Sequence, residues 1–238
     1  MPRAFHPFTP EHWIAVGLGL LGMGLFLWFG LRGSRTQRRT TALLAGLNLS
    51  VYPLSKAAWM TMDFPTSLDN SMPFHLCDVA AFTAGFALIT RRPILCALTY
   101  FWGLAATIQA LATPAITVGF PAPPFVVFFI HHFAVVTAAL YLPLVLGWRP
   151  KRPLWKSPLE VYGWSVIYLG FALAINQMLG TNFAFASRPP DNPSLIDHLG
   201  PWPWYLFWLL GIALAFYFLL TIPFLKSSGE RKIDSEIS

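Results

Sequence analysis

Charge is what this sequence has least of. Asp, Glu, Lys and Arg supply 11% of its 238 residues, against about 25% in an ordinary soluble domain. Too few charged side chains remain to cover a water-facing surface, and with 55% of the residues hydrophobic the composition points to a membrane protein. Cysteine is scarce as well. Cys77 and Cys96 are the two in the chain. They fall near opposite ends of adjacent predicted helices, about 20 Å apart in depth, so distance excludes a disulfide between them. The first apolar run lacks a small-residue cleavage site and carries its basic cluster after it, so it reads as a retained helix and not a signal peptide. No internal repeat indicates an inverted-repeat transporter. The 16 basic residues outnumber the 10 acidic ones, but their placement around apolar runs argues for membrane orientation, with no nucleic acid as partner.

Long apolar sequence is what the chain has in abundance. Runs near 12–32, 41–62, 74–90, 93–113, 124–147, 159–179 and 203–225 are each long enough, or nearly so, to cross a hydrocarbon core of about 30 Å. The expected fold is all-α: a polytopic membrane bundle of seven transmembrane helices, one domain over residues 1–226, followed by a polar cytoplasmic tail at 227–238. Assigning alternate loops to one side places 13 of the 16 Lys and Arg together, in residues 31–40, 91–92, 147–158 and from 226 onward. The remainder are Arg3, Arg188 and the intrahelical Lys56. The positive-inside rule then sets the N-terminus outside and the C-terminus in the cytoplasm.

With that orientation, the polar residues of the apolar runs gather in one leaflet. His75, Cys77 and Asp78 start the third helix, and His131 and His132 lie about two turns below the outer end of the fifth. Lys56, Gln109 and Asn176 sit in the outer parts of the second, fourth and sixth. Ionisable residues inside a membrane usually face the bundle interior or a water-filled cavity, so a one-sided layer marks a candidate site opening outward. Interfacial water could instead satisfy His75, and Asn176 could be an ordinary interhelical hydrogen bond.

Helical angles divide the roles. His75 and Asp78 share a face, whereas Cys77 stands about 200° from His75, so a base for the thiol must come from another helix. His131 and His132 diverge by about 100°, which turns one inward and leaves the other for a neighbouring helix or a carbonyl; His131 is the preferred inward residue. Lys56 and Asp78, each a lone charge in the layer, are expected to pair. Asn176 or Gln109 could stabilise an oxyanion. The apolar, proline-rich PAITVGFPAPPF and the long segment from Thr181 to Trp202 could cover such a site.

HLCDVAAF, FFIHHF, and NQMLGTNF followed by SLIDHLGPWPWY together resemble the YwaF-type family of bacterial integral membrane proteins, over most of the second to seventh helices. That family is similar to animal transmembrane acyltransferases and hydrolases acting on lipids, which use a nucleophile and a histidine within a helical bundle. The resemblance implies a bacterial cytoplasmic membrane location, Cys77 as nucleophile and His131 or His132 as its base.

The leading expectation is thus a lipid-directed acyltransferase or hydrolase, with membrane lipids as partners and no cofactor. A second reading makes His75, Asp78, His131 and His132 ligands of a catalytic zinc. A third uses the same polar layer in a transporter or ligand-binding membrane protein.

Overall fold

Where apolar sequence has no water to satisfy its backbone, helices are the economical solution, since each pairs its own N–H and C=O groups. The computed structural model describes residues 3–62 and 68–225, and within them the elements are helical, with an isolated bridge between Ala4 and Val118. In chain order they are α1 (Pro10–Gly30), α2 (Ser34–Met60), a single turn α3 (Leu68–Ser71), α4 (Leu76–Thr90), α5 (Pro93–Trp102), a π-helical turn (Gly103–Thr107), α6 (Ile108–Ala112), α7 (Pro123–Leu144), α8 (Lys156–Leu179) and α9 (Trp204–Leu219). Proline opens α1, α5 and α7, at the positions where its missing N–H costs nothing. Gly180, in the left-handed region at φ +67°, ends α8.

Five helical stretches are long and apolar enough to cross a membrane: Pro10–Gly30, Pro93–Ala112, Pro123–Leu144, Lys156–Leu179 and Trp204–Phe224. The other two expected spans also fold as helices, but differently from the sequence reading. The helix expected at 41–62 begins at Ser34, taking in Arg35, Arg38 and Arg39, and α4 has 15 residues. The tail at 227–238 and residues 63–67 lie outside the described residues.

The centre of the bundle is α7. In its most apolar stretch 72% of the residues are buried, and α1, α2, α4 and α5 pack around it. Small residues permit the closest approaches. A Cβ at Gly85 would come within 2.5 Å of the Leu49 side chain and 3.2 Å of the Ala45 carbonyl, so α2 and α4 meet nearly backbone to backbone. Gly103 holds the π turn against Ala139 of α7 in the same way. Polar ties run between helices: Asn48 donates to the Ala134 carbonyl at 3.1 Å, and Trp102 donates to Ser165, whose hydroxyl also bonds Tyr217. Leu18, Leu21 and Leu25 on α1, Ile167 on α8, and Phe207 and Trp208 on α9 are exposed. An outer surface of that kind is compatible with lipid and not with water.

Two connections cover the end of the bundle where α4 begins. Residues 113–122 are irregular and are held by the N-terminal chain, with Phe5 N–H on the Thr117 carbonyl and Gly119 N–H on the Arg3 carbonyl. After α8 the chain turns through Phe183–Phe185 and Leu195–His198. Asn182 shapes the first part of that segment, accepting from the Ser187 and Arg188 N–H groups and donating to the Arg188 carbonyl.

Candidate functional site

The approach to α4 is fixed by three hydrogen bonds from two helices. Tyr52 and Lys56 of α2 donate to the Ser71 carbonyl at 2.7 and 3.1 Å, and Tyr168 of α8 donates to the Phe74 carbonyl at 2.9 Å. His75 then packs its ring against Phe183 and Phe185. With the entry chain held, Cys77 and Asp78 have a defined place in the first turn of α4.

Opposite them α7 presents His131. Its Nε2 lies 3.1 Å from the Cys77 carbonyl oxygen. A carbonyl only accepts, so Nε2 carries the hydrogen in the neutral ring and Nδ1 keeps the lone pair. Nδ1 in turn is 4.0 Å from Asp78 Oδ1. The Cys77 sulfur, an Asp78 carboxylate oxygen and a ring nitrogen of His131 all lie within 4.8 Å of one another. Thiol, imidazole and carboxylate therefore form one cluster, assembled from two neighbours in sequence and one residue across the bundle.

His132 has a different attachment. Its Nδ1–H donates to the Phe128 carbonyl at 2.7 Å, and the ring stacks near Phe128 and 5.0 Å from the His131 ring. Both histidines are 4% exposed, and both line a cavity of about 540 Å³ together with Cys77, Asp78, Lys56 and His75.

Three sequence expectations need correction. Lys56 does not pair with Asp78: its ammonium is taken by the Ser71 carbonyl, and the ionisable partner of Asp78 is His131. Gln109 is exposed and stands away from the cavity wall. Asn176 is buried behind the site, where its Oδ1 accepts from the Thr181 hydroxyl and the Phe183 N–H while its Nδ2 donates to the Phe183 carbonyl. Removing that side chain leaves buried backbone groups unpaired, each at about 1–3 kcal/mol. Asn176→Ala is therefore expected to lower the unfolding temperature in detergent while Cys77 keeps its rate of alkylation.

Thr107 is a wall residue the sequence reading missed. It lies in the π turn, is 3% exposed, and its hydroxyl has no partner among the described residues. Thr41, Thr83, Thr90 and Thr99 return theirs to the carbonyl four residues back, a bond that the altered register of a π turn removes. No sequence pattern announces such a turn. Asp69 was also missed; it accepts the Asn182 N–H and ties the approach of α4 to the covering segment.

The fold and this cluster define a multi-pass helical membrane protein with a cysteine, a histidine and an aspartate at the wall of one cavity. Comparison with known proteins places it more narrowly: the chain belongs to the TMEM164 family, whose model matches residues 7–221. It is also similar to an uncharacterized protein of Treponema pallidum (strain Nichols), 27% identical over 187 residues that span 78% of this chain and 76% of the relative. No solved structure matches the chain.

Proposed function

We propose that the protein is a lipid-directed acyltransferase or hydrolase working through a thioester on Cys77. The observation that carries this reading is the mutual approach of the Cys77 sulfur, the His131 ring and the Asp78 carboxylate within 4.8 Å, in a cavity large enough for the ester region of a lipid. His131 takes the thiol proton as sulfur bonds to an ester carbonyl carbon. The nearby Asp78 carboxylate stabilises the imidazolium that results. The Cys77 N–H, in the first turn of α4, is turned toward its own sulfur and donates to the oxyanion that forms there. Collapse breaks the acyl C–O bond, and the departing oxygen receives the proton from His131. An acceptor hydroxyl or water then attacks the thioester and frees the thiol. Lys56 and Arg188 at the cavity wall supply positive charge of the kind a lipid phosphate requires.

The test is a covalent one. Purified protein incubated with phosphatidylcholine and phosphatidylethanolamine vesicles should gain the mass of one acyl chain on the Cys77 peptide, and hydroxylamine should remove it. Absence of any adduct across both lipids would count against the thioester.

The same three atoms favour a second reading, because Cys, Asp and His are zinc ligands and three of them leave an open position. Its ligand set would be Cys77, Asp78 and His131 instead of the four residues expected from the sequence. Near-stoichiometric zinc in the purified protein, with activity lost to a chelator and restored by zinc, would favour it over the thioester.

We further propose seven crossings, with α2 and α4 completing the five longer apolar stretches, the N-terminus outside and the C-terminus in the cytoplasm of a bacterial cell. The partition of basic residues supports this. Ser187 and Lys156 are exposed, on opposite predicted faces; Ser157 is buried and bonded to the Lys151 N–H, so it is a poor reporter. In sealed cells an impermeant thiol reagent should label Ser187→Cys and spare Lys156→Cys. Equal labelling would overturn the orientation.

A further inference from the structure

The thioester reading uses one histidine, yet two face the cavity. The second is not a spare copy of the first. Because Nδ1 of His132 donates to the Phe128 carbonyl, the neutral ring carries its lone pair on Nε2. That nitrogen has no partner among the described residues and, although the residue is 4% exposed, is not fully enclosed, so it meets the cavity. His132 is also not part of the compact group that Cys77, Asp78 and His131 form. A base so placed opens on the cavity from which a second reactant would approach the thioester.

We infer that His132 is a separate general base, which activates the hydroxyl of an alcohol acceptor in the second half of the reaction. The inference rests on the acyl-transfer reading and gives it a direction, toward transfer instead of hydrolysis. Nε2 removes the acceptor O–H proton as that oxygen bonds to the thioester carbonyl carbon. The C–S bond then breaks, the departing sulfur receives the proton, and thiol and both neutral imidazoles are restored. Two bases on consecutive residues, one tied to the Cys77 carbonyl and one to its own helix, serve two nucleophiles that arrive at different times.

The half-reactions can be separated. His132→Asn retains an amide N–H for the Phe128 carbonyl and removes the base. The Cys77 acyl adduct is formed with para-nitrophenyl dodecanoate, excess ester is removed, and loss of the adduct is followed after adding water alone, hydroxylamine, or 1-monooleoylglycerol as the alcohol. Wild type should discharge to monooleoylglycerol much faster than to water. His132→Asn should acylate at the wild-type rate and discharge to hydroxylamine, which needs no base, at the wild-type rate. Its discharge to monooleoylglycerol should fall about a hundredfold or more, the range of general-base catalysis.

Iodoacetamide alkylation of Cys77 reports whether the site is intact; should His132→Asn alter it, His132→Gln is read in the same way. Discharge to the alcohol at the wild-type rate, or acylation that slows in parallel, overturns the separate role. So does a wild-type adduct that monooleoylglycerol discharges no faster than water. Failure of wild type to form any Cys77 adduct instead removes the thioester reading, and this inference with it.

Discussion

Cys77→Ala should abolish the hydroxylamine-sensitive adduct and reduce acyl transfer by on the order of 10⁴-fold or more, the scale of losing a covalent nucleophile. The side chain sits in the first turn of α4, and no other sulfur can replace it: Cys96 is 1% exposed and packs with Leu44, Ala84 and Tyr141 in a different part of the core. Cys96→Ser is expected to leave the rate unchanged. Cys77→Ser keeps a nucleophilic atom in place, but a hydroxyl is a weaker nucleophile without stronger activation, so it should retain a trace of activity with an ester adduct that resists hydroxylamine. The measurements are intact mass and release of free fatty acid or transferred acyl chain from labelled phospholipid. Retention of a tenth of wild-type activity by Cys77→Ala would remove the nucleophile assignment and leave the cluster to the zinc reading.

The parts of this site that the sequence revealed are those fixed by helix geometry. His75 and Cys77 have the different surroundings that the sequence reading expected, Phe183 and Phe185 for one and His131 for the other, although His75 is the extended N-cap of α4 and not a residue of its first turn. The two α7 histidines do not divide into one inward and one outward residue as expected: both line the cavity, His131 held by the carbonyl of Cys77 and His132 by that of Phe128. What could not be read was choice among equally reachable partners. Lys56 has a long flexible arm, and whether it met Asp78 or a backbone oxygen depended on where the chain after α2 returned, which placed the Ser71 carbonyl within 3.1 Å. Asn176 and Gln109 looked alike as amides near helix ends. The left-handed turn at Gly180 folds the following chain back over Asn176, and nothing does so for Gln109. The π turn at Gly103–Thr107, which packs closely on Ala139 of α7, has no local sequence signature.

His131→Gln should slow acylation of Cys77 by roughly 10²–10⁴-fold, the loss associated with a general base. Glutamine can still donate to the Cys77 carbonyl, so α4 and α7 should keep their register while the Nδ1 lone pair disappears. The same variant should also slow iodoacetamide alkylation, because both reactions need the thiol proton removed; this separates it from His132→Asn, in which alkylation should be unaffected. Asp78→Asn preserves shape but removes the carboxylate charge 4.0 Å from Nδ1. Two unit charges at that separation interact by about 4 kcal/mol at an effective dielectric of 20, and an amide dipole recovers part of that, so a fall of roughly tenfold to a hundredfold is expected for Asp78→Asn. The ordering is the diagnostic. Acylation rates measured as the burst of para-nitrophenolate should fall least for Asp78→Asn, further for His131→Gln and furthest for Cys77→Ala. If His131→Gln acylates at the wild-type rate and His132→Asn does not, the two histidines exchange roles, and the bond from His131 to the Cys77 carbonyl is a structural tie between α4 and α7.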